Sequence, residues 1–207
     1  RAVFLDENGE FIEENQEFGI IAGQVCRDRK GTVVMPVSTS RLVEEIARGN
    51  GCDVQYTPVG SIYVARAMRA LEAAQRPVAF GGEGNGGLIY PDHQYCRDGG
   101  MTAAMMVAIL AREQCPVSDL VAALPRFHLI KEKIQGADPA AMIRKLSTAF
   151  SGDRIDRTDG IRINREESWA LIRPSGTEPL VRVIVESQKE QIARAFFDEI
   201  IKKIQPS

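Results

Sequence analysis

The chain has 207 residues, 44% of them hydrophobic and 26% charged, with a formal net charge of −2; this length suits one or two compact domains, and this composition builds a core rather than a disordered tail. Lysine and arginine are scattered, so the basic footprint of a nucleic-acid or anionic-membrane binder is missing. No apolar run is long enough to span a bilayer and no signal-peptide pattern opens the chain, which reads as cytoplasmic.

Cys26, Cys52, Cys96 and Cys115 contain no Cys-x-x-Cys pair and read as buried free thiols. His93 and His128 are too few for a histidine-rich metal site, so no metal is expected in this chain. The chain starts at Arg1 and passes at once into the strand-like Ala2-Val3-Phe4-Leu5, as in a piece cut from a longer protein.

Asn8-Gly9 between Ala2–Leu5 and Phe11-Ile12 predicts a hairpin with a type I′ turn. Phe18, Ile20, Ile21, Ala22 and Val25 predict a helix between Asn15 and Cys26. Thr32 to Val37 is a continuous apolar strand, and Ser40 caps a helix carrying Leu42, Val43, Ile46 and Ala47. Cys52 to Tyr56 is the next strand, then a helix with Val64, Met68 and Leu71, and then a third strand, Pro77 to Phe80. Unalternating strands separated by helices predict an α/β domain whose parallel sheet is covered on both faces. Asp98 caps a helix from Met101 to Leu110 that is apolar on nearly every side and is expected to be buried.

Leu124-Pro125 is the expected domain boundary, giving domains 1–124 and 125–207. The second reads as a smaller α+β domain with a mostly antiparallel sheet. Phe127 to Lys133, Arg154 to Asp156, Gly160 to Asn164, Trp169 to Ile172 and Leu180 to Glu186 are its strands. Asp138-Pro139 opens one helix, and Ile192, Phe196, Ile200 and Ile204 form the apolar stripe of a closing one.

Two stretches, with a neighbouring loop beside the first, carry the chemistry. Gly81 to Gly87 is a glycine-crowded loop after a strand, in which Glu83 and Asn85 offer the acceptor and donor set that sugar hydroxyls need. Thr57 to Ser61 leaves a neighbouring strand and opens a helix whose free N–H groups suit a phosphate or a hydroxyl. In Arg173 to Pro179, the planar guanidinium of Arg173 suits two phosphate oxygens, Ser175 and Thr177 add hydroxyls, and Gly176 permits an anion nest. Glu178 is the odd member of such a clamp, expected to point away or to position Arg173.

Together with Arg97-Asp98-Gly99, these stretches resemble the sugar-binding and phosphate-binding loops of the α-D-phosphohexomutases, a family that includes phosphomannomutase, phosphoglucomutase and phosphoglucosamine mutase. The resemblance covers essentially the whole chain and implies the third and fourth domains of a four-domain enzyme. It implies that Glu83, Asn85, Thr57 and Gly60 hold sugar hydroxyls while Arg173, Ser175, Gly176 and Thr177 hold the phosphate that is not reacting. It further implies a phosphoserine and an Mg²⁺-binding Asp-x-Asp-x-Asp-Arg loop upstream of this chain, with Arg1 as the last residue of that loop. The partners are then a hexose phosphate and the missing amino-terminal domains, and this chain alone is expected to be inactive. Asn85 and Gly87 stand where many bacterial members have Ser and His, which leaves the preferred sugar open.

Two rivals remain. A nucleotide-binding loop lacks its Lys-Ser or Lys-Thr here, and Gly82 to Gly87 is not followed immediately by the helix that the G-x-G-x-x-G fingerprint requires. A noncatalytic phosphosugar sensor would carry the same two ligand loops without any phosphoryl donor.

Overall fold

The computed structural model describes residues 1–135, 138–176, 178 and 180–204. The chain divides into two compact units, Arg1–Pro125 and Arg126–Ser207.

The first unit runs α1 (Glu14–Asp28), β1 (Thr32–Pro36), α2 (Arg41–Gly49), β2 (Asp53–Thr57), α3 (Ser61–Ala73), β3 (Val78–Glu83), β4 (Gly87–Ile89), α4 (Gly99–Glu113) and α5 (Val117–Ala122). Its sheet has the order β2-β1-β3-β4, with β1 parallel to both β2 and β3, and β4 antiparallel to β3 at one edge. Alternate side chains of β1 serve two cores. Val33 and Met35 pack with Phe18, Ile21 and Val25 of α1 and with Met106 and Ile109 of α4, whereas Val34 meets Val64, Met68 and Leu71 of α3. Both faces of the sheet are therefore dry, which is why its strands read as unbroken apolar runs. Phe18 and Phe80 meet edge to face at 5.5 Å between ring centroids.

Helix starts follow local chemistry. Ser40 Oγ accepts from Leu42 N at 3.0 Å, and Glu13 and Gln16 close a reciprocal capping box on α1. At the end of α3, Gln75 takes a left-handed conformation, φ +57, while Arg76 N donates to Leu71 O and Gln75 N to Glu72 O. That is a Schellman motif with glutamine where glycine is usual.

Four expectations need correction. The opening hairpin is reduced to one Leu5–Phe11 bridge, and its turn is not type I′: only Gly9 has positive φ, Gly9 N donates to Asp6 O, and Asp6 N to Glu10 O. Asp6 decides this by accepting the N–H groups of Asn8 and Glu10 on one carboxylate oxygen, which favours a type I turn followed by a glycine bulge. The third strand does not stop at Phe80 but continues through Gly81, Gly82 and Glu83, because β4 pairs with it there. Helix α4 is buried only along Thr102, Met106 and Ile109, and Val107 is 65% exposed; an all-apolar sequence does not imply burial on every side. Of the cysteines, Cys26 and Cys52 are buried, whereas Cys96 is exposed in the segment before α4.

The second unit runs β5 (His128–Gln135), α6 (Pro139–Ala149), β6 (Arg154–Asp156), β7 (Ile161–Asn164), β8 (Ser168–Pro174), β9 (Leu180–Ser187) and α7 (Glu190–Ile204). Its five strands, ordered β5-β9-β8-β7-β6, are all antiparallel. Ile161, Ile163, Ala170, Ile172, Val181, Val183 and Val185 project from one face onto Leu146 and Phe150 at α6 and onto Phe196 and Ile200 of α7. No helix among the described residues is long and apolar enough to cross a membrane.

Candidate functional site

In the first unit, β1, β2 and β3 end together at the carboxyl edge of the sheet, the edge where open α/β sheets bind ligands. Pairing of Glu83 with Gly87 turns the glycine stretch into a hairpin whose tip is Gly84, Asn85 and Gly86. Gly81 is far from that tip: a Cβ there would lie 2.6 Å from Met68 Sδ and 2.8 Å from Val64 Cγ1, so this glycine admits α3 rather than a ligand.

Glu83 ends β3 with its side chain only 7% exposed, and Arg97 Nη1 lies 2.8 Å from its Oε2. The same nitrogen donates to Asn85 Oδ1 at 3.3 Å. Arg97 precedes Asp98, whose N–H bonds Leu88 O in β4 and whose Oδ1 accepts from Met101 N to cap α4. The capping N–H of Met101, helped by His93 at 3.0 Å, holds the Asp98 carboxyl below the usual carboxylate range. Asp98 is thus a cap, and Asp92 pairs with Arg29. The carbonyl of Arg1 packs against Gly99, and Ala2 N donates to Gly86 O at 2.7 Å, so Arg1 stands beside this corner.

The neighbouring loop is arranged differently. Thr57 is buried and its hydroxyl donates to Pro58 O at 2.9 Å. Gly60, φ +136, starts α3 with no side-chain cap, so the first turn of that helix gets no capping bond from its N-cap residue.

In the second unit, Arg173 lies near the end of β8 directly opposite Arg182 of β9, which in turn faces Lys133 of β5. Like charges in register repel, and two carboxylates relieve them. Asp159 Oδ2 sits 3.1 Å from Arg173 Nε, and Glu178 lies 3.2 Å from Lys133 and 3.1 Å from Arg182. Glu178 is therefore the counter-ion of Lys133 and Arg182. Ser175 N donates to Leu180 O at 2.9 Å, its Oγ is buried without a partner among the described residues, and Gly176 is exposed. Thr177 lies outside the described residues.

Residues 13–127 match the phosphoglucomutase/phosphomannomutase alpha/beta/alpha domain III, and residues 129–203 match the phosphoglucomutase/phosphomannomutase C-terminal domain. The chain belongs to the phosphoglucomutase/phosphomannomutase family. A phosphoglucomutase/phosphomannomutase of Thermococcus kodakarensis is 39% identical over 99% of this chain and 45% of its own length. A probable phosphoglucosamine mutase of Methanopyrus kandleri is 35% identical over 97% of this chain and 44% of its own. The fold matches a phosphoglucomutase/phosphomannomutase family protein of Burkholderia thailandensis with a TM-score of 0.82 at 22% identity, covering 98% of this chain and 43% of that one. The chain thus spans under half the length of the relatives it matches.

Three residues of this family member take part in the candidate site without having been assigned a ligand or positioning role from the sequence. Arg97 joins Glu83 and Asn85; the sequence marked it only as part of the Arg97-Asp98-Gly99 entry to α4. Asn15 is buried, accepts from Ser40 N at 3.1 Å and lies against Gly84, tying α1 and α2 to the hairpin tip. Asp159 pairs with Arg173, and Gly160 beside it, φ +68, brings the β6–β7 turn so close that a Cβ would lie 2.8 Å from Arg173 Cα.

Proposed function

We propose that this chain is the hydroxyl-reading and phosphate-gripping part of a phosphohexomutase that interconverts hexose 1-phosphate and hexose 6-phosphate, the hexose being mannose, glucose or glucosamine. In this reading Glu83 and Asn85 meet sugar hydroxyls, helped by backbone N–H groups after Gly60 rather than by the Thr57 side chain. Arg173, Ser175, Gly176 and Thr177 take the phosphate that is not reacting.

The observation that carries the reading is the pairing of two chemistries in one family member. One unit presents a buried carboxylate and an amide at the carboxyl edge of its sheet; the other presents a register of three cations beside a serine. The phosphoserine and Mg²⁺ belong to the proposed parent protein, where a phosphoserine gives phosphate to the sugar and regains it from the other end. Among the described residues no group of three or more His, Cys, Asp or Glu side chains is arranged to hold a metal. What these two units contribute is positioning. We place the protein in the cytoplasm, where its sugar phosphates are made and used.

Calorimetry tests the proposal directly. The chain is expected to bind glucose 1-phosphate or mannose 1-phosphate weakly and to show no mutase turnover. Absence of binding at millimolar ligand, or turnover by this chain alone, would overturn it. Turnover only in the full-length protein separates the enzyme from a noncatalytic sensor.

A further inference from the structure

We propose that Arg97 is the positioning residue of the sugar-reading hairpin: one guanidinium nitrogen fixes Glu83 and Asn85 together, so that a hexose meets one fixed acceptor and one fixed donor. The inference rests on the hexose phosphate reading above and names the residue that gives it hydroxyl selectivity.

Geometry leads to this role. The hairpin tip holds Asn85 between two glycines, a setting that does little by itself to restrict its side chain. Arg97 supplies the restriction from a firm base. Its backbone leads into Asp98, which is bonded both to β4 and to the first turn of α4. Its stem lies along Gly87, where a Cβ would come 2.7 Å from Arg97 Cδ and 3.0 Å from Cγ, so Gly87 is the slot in which the stem is clamped. From that slot Nη1 reaches Glu83 Oε2 at 2.8 Å and Asn85 Oδ1 at 3.3 Å.

The chemical consequence is a choice of faces. With Oδ1 turned to the guanidinium, Asn85 presents its NH₂ as a donor on the other side, and Glu83 keeps Oε1 as an acceptor. A hydroxyl that donates to Glu83 and accepts from Asn85, or two adjacent hydroxyls sharing those tasks, satisfies the pair. A ligand lacking the hydroxyl leaves Oε1 of the buried Glu83 and the NH₂ of the half-buried Asn85 without that partner, which costs about tenfold or more in affinity.

Calorimetry with glucose 1-phosphate, its 3-deoxy and 4-deoxy analogues and inorganic phosphate provides one readout. Arg97→Met keeps the stem and removes the tether. It is expected to lower glucose 1-phosphate affinity about tenfold, to erase the preference over whichever deoxy analogue the wild type rejects, and to leave inorganic phosphate binding unchanged. Arg97→Lys is expected to restore part of the preference. A preference that survives in Arg97→Met, or equal losses for sugar phosphate and inorganic phosphate, overturns the proposal.

A second readout needs no ligand. The side-chain NH₂ resonances of Asn85 are expected to be dispersed in the wild type and in Arg97→Lys and to move toward free-amide positions in Arg97→Met. Unmoved resonances in Arg97→Met refute the tether whether or not any sugar binds. Tethered resonances in a wild type that binds no hexose phosphate would refute the function proposed above and leave the positioning role standing.

Discussion

Ala2 donates its backbone N–H to the carbonyl of Gly86 at 2.7 Å, which lays the opening segment of the chain across the tip of the β3–β4 hairpin. Gly86 has φ +76, and a Cβ there would strike the carbonyl of Ala2. Two separate demands, conformational and steric, fall on one residue.

Replacing Gly86 by alanine is therefore expected to lower stability by about 2 kcal/mol or more and to raise amide exchange in residues 1–5. Gly152→Ala, where a Cβ meets nothing within 4 Å, is the control and should stay within about 0.5 kcal/mol of wild type in urea unfolding. Equal effects of the two substitutions would show that Ala2 is not seated as described.

The register of cations makes a prediction about order of importance. Arg173→Ala is expected to weaken glucose 1-phosphate binding more than Glu83→Ala, since the Arg173–phosphate contact joins two opposite charges and can be bidentate, whereas a hydroxyl contact of Glu83 carries charge on one side only. Asp159→Asn, which leaves Arg173 without its carboxylate, is expected to weaken the same binding by a smaller factor. Calorimetry giving Glu83→Ala the larger loss would move the anchor to the other unit.

Glu17 of α1 is only 2% exposed, and its Oε2 is buried with no hydrogen-bond partner among the described residues. Burial, with the carboxylates of Glu14 and Glu13 nearby, pushes its carboxyl up to about 7 from the ordinary 4.5. The folded protein thus holds this proton more tightly than the unfolded chain does. Stability from this group is present below pH of about 4.5, falls as the pH rises, and is lost above about 7. Glu17→Gln is expected to raise stability at pH 8 by about 2 kcal/mol and to flatten the pH dependence between those limits. Thermal melts that show the same slope in both proteins would contradict it.

Gln75 adopts φ +57 at the position where α3 ends in its Schellman motif. Only a small penalty attaches to a left-handed glutamine, and glycine removes it. Gln75→Gly is expected to raise stability by about 0.5–1 kcal/mol in urea unfolding; a loss of that size would mean the side chain makes a contact worth more than the backbone strain.

Helix and strand order were legible in the sequence because each element buries enough of itself to impose a period: Thr32 to Pro36 is dry on both faces and reads as an unbroken apolar run, and Phe196 and Ile200 recur at helical spacing toward one core. Caps such as Ser40 and Asp138 were equally plain, since a cap is a bond between residues two apart. The spacing of Glu83 and Asn85 already placed them on one short connection. Long-range relations were not legible. Local propensity argues against a strand through Gly81 and Gly82, and it loses because α3 and β4 leave no room for side chains there. Nothing near Arg97 in sequence points to Glu83, and nothing near Asp159 points to Arg173, because each pairing joins separate elements that meet only once the sheet is assembled. Sequence alone determined what kinds of groups the two ligand loops carry, for composition and short spacing are local properties. The tertiary structure decided which of those groups are held or neutralised, for a side chain's orientation and charge balance depend on neighbours that the chain brings in from a distance.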